Sequence, residues 1–173
     1  MKWISWLLML LLLGVTFSRS HRGGPPLDQE APSIQAKLLG GAPFSLEAHQ
    51  GKVIILDFWA TWCPPCRASL PALSQVSALY KDDDQVWVGS VNKERLSARG
   101  LKDFMKKMKV EFPVILDRTG RISLSYNVTA LPTLILIDPQ GKVRHLQVGL
   151  LTSNVTKLTE HIKALIESAR PKV

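Results

Sequence analysis

The chain has 173 residues, enough for one domain with a proper hydrophobic core. Its 46% hydrophobic and 21% charged content is that of an ordinary globule, which excludes disordered, collagenous and polytopic membrane classes. The formal charge of +8 suits an acidic partner or a membrane surface, but no nucleic-acid-binding motif accompanies it, so nucleic acid is not an expected partner.

The first twenty residues, MKWISWLLMLLLLGVTFSRS, place Lys2 before an apolar stretch from Trp3 to Phe17. The stretch has the length of a secretory h-region and is short of the roughly 20 residues of a full span. Residues 1–20 are therefore expected to be an export signal or an N-terminal membrane anchor. No cysteine follows them to carry a lipid. Residues 21–32 are rich in Gly, Pro and charge with no apolar period, the composition of a linker. Residues 33–173 are the expected folded domain.

Within that domain, VIILDFW (Val53 to Trp59) is β-branched and apolar, as in a strand buried on both faces. The spacing of Leu70, Leu73, Val76 and Leu79 predicts a helix from about Pro65 to Tyr80. QVWVGSV (Gln85 to Val91) is a second strand. LKDFMKKMK (Leu101 to Lys109) is an amphipathic helix with Leu101, Phe104, Met105 and Met108 on one face. FPVILD and TLILID (Thr133 to Asp138) are further strands, and the DPQGK turn into VRHLQV marks a hairpin. A last helix from about Ser153 to Ser168 turns Val155, Leu158, Ile162 and Leu165 inward. The fold class is α/β, a mixed sheet with helices on its faces. In such sheets, sites gather at the carboxyl ends of the strands.

Cys63 and Cys66 are the only cysteines. A C-x-x-C pair closes a very small loop and makes a weak staple. Zinc would need further ligands, and His21, His49, His145 and His161 lack ligand spacing, so neither a metal nor a cofactor is expected. The redox reading fits better. Cys63 falls between strand and helix, where unpaired N–H groups and the helix dipole favour a thiolate, the attacking species in disulfide exchange. Cys66, one turn further in, is placed to resolve the mixed disulfide.

Pro64 pushes Cys63 into the extended conformation of an N-cap residue. Both intervening prolines take first-turn positions, where a missing N–H breaks no helical bond. Pro65 disfavours helical geometry at Pro64, which argues for a start one residue later, and the Cys66 N–H is left as a donor near Cys63. Pro71 deprives the Arg67 carbonyl of its helical donor and predicts a kink. Asp57, inside VIILDFW, should have a raised pKa if buried, and could then accept the proton of the resolving thiol. The alternative is a carboxylate that reaches solvent at the strand end.

DFWATWCPPCR, the mid-helix Pro71 and the later LPT (Leu131 to Thr133) resemble the thioredoxin superfamily. The WCPPC form, the leader and the extra helix with FPVILD between the second and third core strands resemble its TlpA/ResA/DsbE-like branch, over roughly residues 30–168. That branch contains exported thiol–disulfide oxidoreductases, several of which serve cytochrome c maturation. The resemblance implies a thioredoxin-like fold with Cys63 as nucleophile and Cys66 as resolving thiol. It implies a cis peptide bond before Pro132, with Leu131 offering backbone hydrogen bonds to an extended client. Trp62, Pro64, Leu131 and Pro132 would contact substrate, and Trp59 would also flank the site. It further implies a periplasmic or other extracytoplasmic location, protein thiol or disulfide clients, an upstream electron donor in the membrane, and a monomer.

Two departures from the family pattern bear on the chemistry. Ser69 stands where ResA-like proteins often have Glu, and Ser90 where thioredoxins have a lysine near the buried Asp. Acid–base work is thereby expected to rest on Asp57. Rival readings are a peroxiredoxin-like peroxidase, whose P-x-x-x-T-x-x-C pattern is not met, and a copper- or haem-handling thiol chaperone without catalysis. Arg95, Arg99, Lys102, Lys106 and Lys109 recur at spacings of four and three, either a solvated helix face or a dock for an acidic partner. NVT at Asn127 and Asn154 is read as chance.

Overall fold

The computed structural model describes residues 23–171. The expectations for residues 1–20 lie outside them. The elements in chain order are β1 (Gln35–Lys37), β2 (Pro43–Ser45), a 3-10 turn (Glu47–His49), β3 (Val53–Trp59), α1 (Pro64–Leu79) and β4 (Val86–Asn92). There follow α2 (Ala98–Met108), β5 (Val114–Leu116), α3 (Arg121–Ser125), β6 (Thr133–Ile137), β7 (Val143–Val148) and α4 (Val155–Ala169).

Five strands form one mixed sheet in the order β5-β4-β3-β6-β7. β3 runs parallel to β4 and antiparallel to β6, and β4 is parallel to β5. All seven residues of β3 are buried, as a strand covered on both faces requires. Val53, Ile55 and Trp59 point to the face carrying α1, α2 and α4, where Leu70, Leu73, Leu101, Leu158 and Ile162 complete one core. Ile54, Leu56 and Phe58 point to the other, packed with Ile34, Phe44, Tyr126 and Val128. Period-2 alternation thus builds two cores from one strand.

The structure starts α1 at Pro64, one residue before the expected start, and the helix runs through Pro71. α2 starts three residues before Leu101, because Ser97 caps it by accepting the Gly100 N–H, and it ends on Lys109 in the left-handed conformation. Arg95 consequently precedes the helix. In α4, Asn154 caps by accepting the Lys157 N–H, and Ile166 is the third fully buried position where Leu165 was expected.

Part of the segment expected to be a linker is packed. Asp28 donates its N–H to Val143, Val143 to Gln29 and Ala31 to Gly141, so residues 28–31 run along the open edge of β7. Further back, the Gly24 N–H meets the Asn127 carbonyl at 2.6 Å. At the opposite edge, Leu38 bridges Ile115 of β5. Each outer strand is therefore paired over part of its length, β7 at Val143 and β5 at Val114 and Ile115, which shortens the open edges.

Candidate active site

β3 ends at Trp59, and the chain crosses residues 60–62 to enter α1. Cys63 is the N-cap of that helix, extended at φ −89° and ψ 106°, as the following proline dictates. It is joined to Cys66 in a disulfide with Cα atoms 5.3 Å apart. The Cys66 N–H lies 3.2 Å from Cys63 Sγ and donates to it. Pro64 and Pro65 have no N–H, so Cys66 supplies the first amide donor of the helix, and it points at the sulfur. Cys63 is 3% exposed and Cys66 fully buried, so what access there is falls on Cys63.

Asp57 lies two residues before the end of β3, on the same face as the cysteines. It is 3% exposed, and its Oδ2 has no hydrogen-bond partner among the described residues. Burial alone pushes its carboxyl up to about 8. Its cross-strand neighbour on β4 is Ser90, and that hydroxyl is engaged elsewhere: it accepts from Trp59 Nε1 at 3.0 Å and donates to the Pro113 carbonyl. The register thus sets a serine beside Asp57 where a lysine would have lowered its pKa.

A cavity of about 20 Å³, room for roughly one water, is lined by Asp57, Ser69, Pro132, Gln147 and Leu158 among others. Ser69 turns its hydroxyl back to the Cys66 carbonyl at 2.8 Å. It therefore offers the cavity no acid. The Leu131–Pro132 bond is cis. Leu131 packs against the cluster that contains both cysteines, and its backbone makes no hydrogen bond among those of the loops. Trp62 is 66% exposed and Pro64 is exposed, so the residues on either side of Cys63 in the chain present an apolar rim to solvent. Trp59 does not belong to that rim. It is buried against Phe104 and Phe112, in the core cluster that also holds Cys63 and Cys66.

One residue near the site had no sequence signal. Glu94, two positions after β4, accepts from the Thr61 N–H, Thr61 Oγ1 and Asn92 Nδ2, each at 3.0 Å. It ties the loop before Cys63 to the end of β4. Only its place just past a strand's carboxyl end could have drawn attention to it. Among the described residues no group of three or more His, Cys, Asp or Glu is arranged to hold a metal ion.

The fold and this dithiol place have counterparts. The Redoxin family model matches residues 26–162, and the chain belongs to that family. It is 32% identical to the thioredoxin-like protein YneN of Bacillus subtilis, over 87% of this chain and 92% of that protein. It is 29% identical to the thiol-disulfide oxidoreductase ResA of Geobacillus thermodenitrificans, over 99% of this chain and 95% of that one. Among solved structures it is similar to a secreted Mycobacterium tuberculosis disulfide oxidoreductase homologous to E. coli DsbE. That match has a TM-score of 0.64 and 28% identity, and covers 76% of this chain and 95% of the other. With a Cys63–Cys66 pair at the head of α1 on a thioredoxin-like sheet, the chain is a thiol–disulfide oxidoreductase acting on protein thiols.

Proposed function

We propose that the Cys63–Cys66 couple reduces disulfides of exported proteins outside the cytoplasm. The observation that carries the direction is the single amide donor at Cys63. A dithiol becomes a strong oxidant when its thiolate form is strongly stabilised. Here two prolines remove first-turn donors, and only the Cys66 N–H reaches Sγ. A thiolate with so little support is a weaker leaving group and a better reductant.

In the reduced protein, Cys63 thiolate attacks one sulfur of a client disulfide. The client S–S bond breaks, a Cys63–client bond forms, and the first client sulfur leaves as a thiolate that takes a proton from water. Cys66 then gives its proton to Asp57 in its carboxylate form, whose share grows as pH approaches 8, and attacks Cys63 Sγ. The second client thiolate departs, the client has gained two electrons, and the disulfide described above is restored. Asp57 suits that proton because burial holds its pKa at about 8, near that of a thiol. Trp62 and Pro64 provide the apolar rim for the client, and the Leu131 backbone before cis-Pro132 pairs with its extended segment.

Export is supported by the leader and by the likeness to a disulfide oxidoreductase of Mycobacterium tuberculosis that is itself secreted. Among the described residues no helix is long and apolar enough to cross a membrane, and the leader, residues 1–20, lies outside them. The working form is a monomer, re-reduced by a membrane-bound thiol donor. Incubation of Cys66→Ser with a disulfide-bonded peptide should accumulate a mixed disulfide through Cys63, and Cys63→Ser should neither reduce nor trap. Trapping through Cys66 in Cys63→Ser would reverse the assigned roles.

A further inference from the structure

The cations of α2 and its approach enter no ion pair among the described residues, though Lys106 and Lys109, at the helix C-terminus, complement its dipole. Arg95, Arg99, Lys102, Lys106 and Lys109 are all exposed. The ion pairs among the described residues fall elsewhere, on Asp28, Asp82, Asp83, Asp138, Glu160 and Glu167. Within α2 itself, Asp103 is the lone acid. Asp103 is exposed and four residues from Arg99, so the surface carries a net excess of positive charge that attracts its opposite over a Debye length of about 8–10 Å.

What gives this stripe meaning is where it begins. Glu94 is hydrogen bonded to Thr61, one residue before the exposed Trp62 and two before Cys63. Arg95 follows Glu94 directly, so the series of cations begins in the loop tied to Thr61, ahead of the helix, and continues with Arg99 and Lys102 in the first turns of α2. Leu96, 36% exposed, adds an apolar side chain at the junction. Arg67, one residue after Cys66, is a further exposed cation without an ion-pair partner among the described residues.

We propose that this surface selects the client: a protein segment whose reacting cysteine is followed or preceded by several acidic residues, seated with the sulfur at Cys63 and the acids along Arg95, Arg99 and Lys102. The proposal rests on the disulfide-reductase reading and names its substrate class. A protein segment is favoured over an anionic lipid surface because the stripe borders the sulfur that must meet a client. A bilayer laid on Trp62 and Arg95 would cover that sulfur. Complementary charge of this kind acts chiefly on the rate of encounter and on the choice of partner.

The test uses the reduced protein and three otherwise matched peptides, each with one disulfide, flanked by acidic, neutral or basic residues. The acidic peptide should react about tenfold faster than the neutral one at low ionic strength, within the span of electrostatic steering. That advantage should shrink at about 0.5 M salt, where screening is nearly complete. In R95E/R99E/K102E the ratio of acidic to neutral rates should fall to one or below, and in R95Q/R99Q/K102Q it should fall part of the way. Equal rates for all three peptides overturn the client proposal and leave the reductase reading standing. No reduction of any peptide overturns the reductase reading, and the client class with it. Charge-dependent binding to anionic vesicles without discrimination among peptides assigns the stripe to a membrane and also overturns the proposal.

Discussion

Asp57 is a carboxyl group in a strand with no buried neighbour to neutralise it, and this gives it a double signature. Its pKa is about 8 in the folded chain and near 3.8 when unfolded. Between those values the folded protein holds a proton that the unfolded chain has released. Stability therefore falls as pH rises from about 4 to about 8, by roughly 1.4 kcal/mol per pH unit, and levels off above. Asp57→Asn should remove that slope and leave the oxidised protein more stable than the parent at pH 8, by urea unfolding. The same variant should slow exchange by on the order of a hundredfold, since the resolving thiol loses its proton acceptor. An unchanged exchange rate between pH 6 and 8 would show that the proton goes elsewhere. The carboxylate was legible in the sequence because it interrupts an apolar run. The cavity it shares with Ser69 was not, since that depends on which helix face meets which strand face.

Among the elements, those with long periods were legible and those without were not. The seven buried residues of β3 and the helical spacing in α1 left little choice. The three-residue strands β1 and β2 and the five-residue α3 are too short to show any period. The segment 23–31 misled for a different reason: glycine serves both floppy linkers and close backbone approach. Gly24 has φ 109°, and a Cβ there would stand 2.4 Å from the Leu146 side chain. The strap therefore needs glycine to lie on β7 and meet Asn127, in the loop that leads to Leu131 and Pro132. Gly24→Ala should cost about 1–3 kcal/mol through backbone strain and crowding. A denaturation midpoint equal to the parent's would mean that the strap does not contribute to the folded state. Helix ends were missed by one to three residues where a cap decided them, as Ser97 does for α2.

At the scale of the whole molecule, the sheet brings three distant stretches to one end: the head of α1, the turn before β6, and the loop after β4. The first two were legible as motifs, WCPPC and LPT. The third was not, because Glu94 acts through a hydrogen-bonded carboxylate that no spacing announces. Together they make a disulfide whose N-cap sulfur, on Cys63, has a single amide donor, with a raised carboxyl on the same sheet face and basic residues in the neighbouring loop and helix. That combination makes a couple poised for reduction. The direct test is the midpoint potential of Cys63–Cys66, obtained by equilibrating the protein with glutathione buffers and measuring the oxidised fraction. A value on the reducing side is expected, about −270 mV as for thioredoxin. A value near −120 mV, that of a strong oxidant such as DsbA, would contradict it.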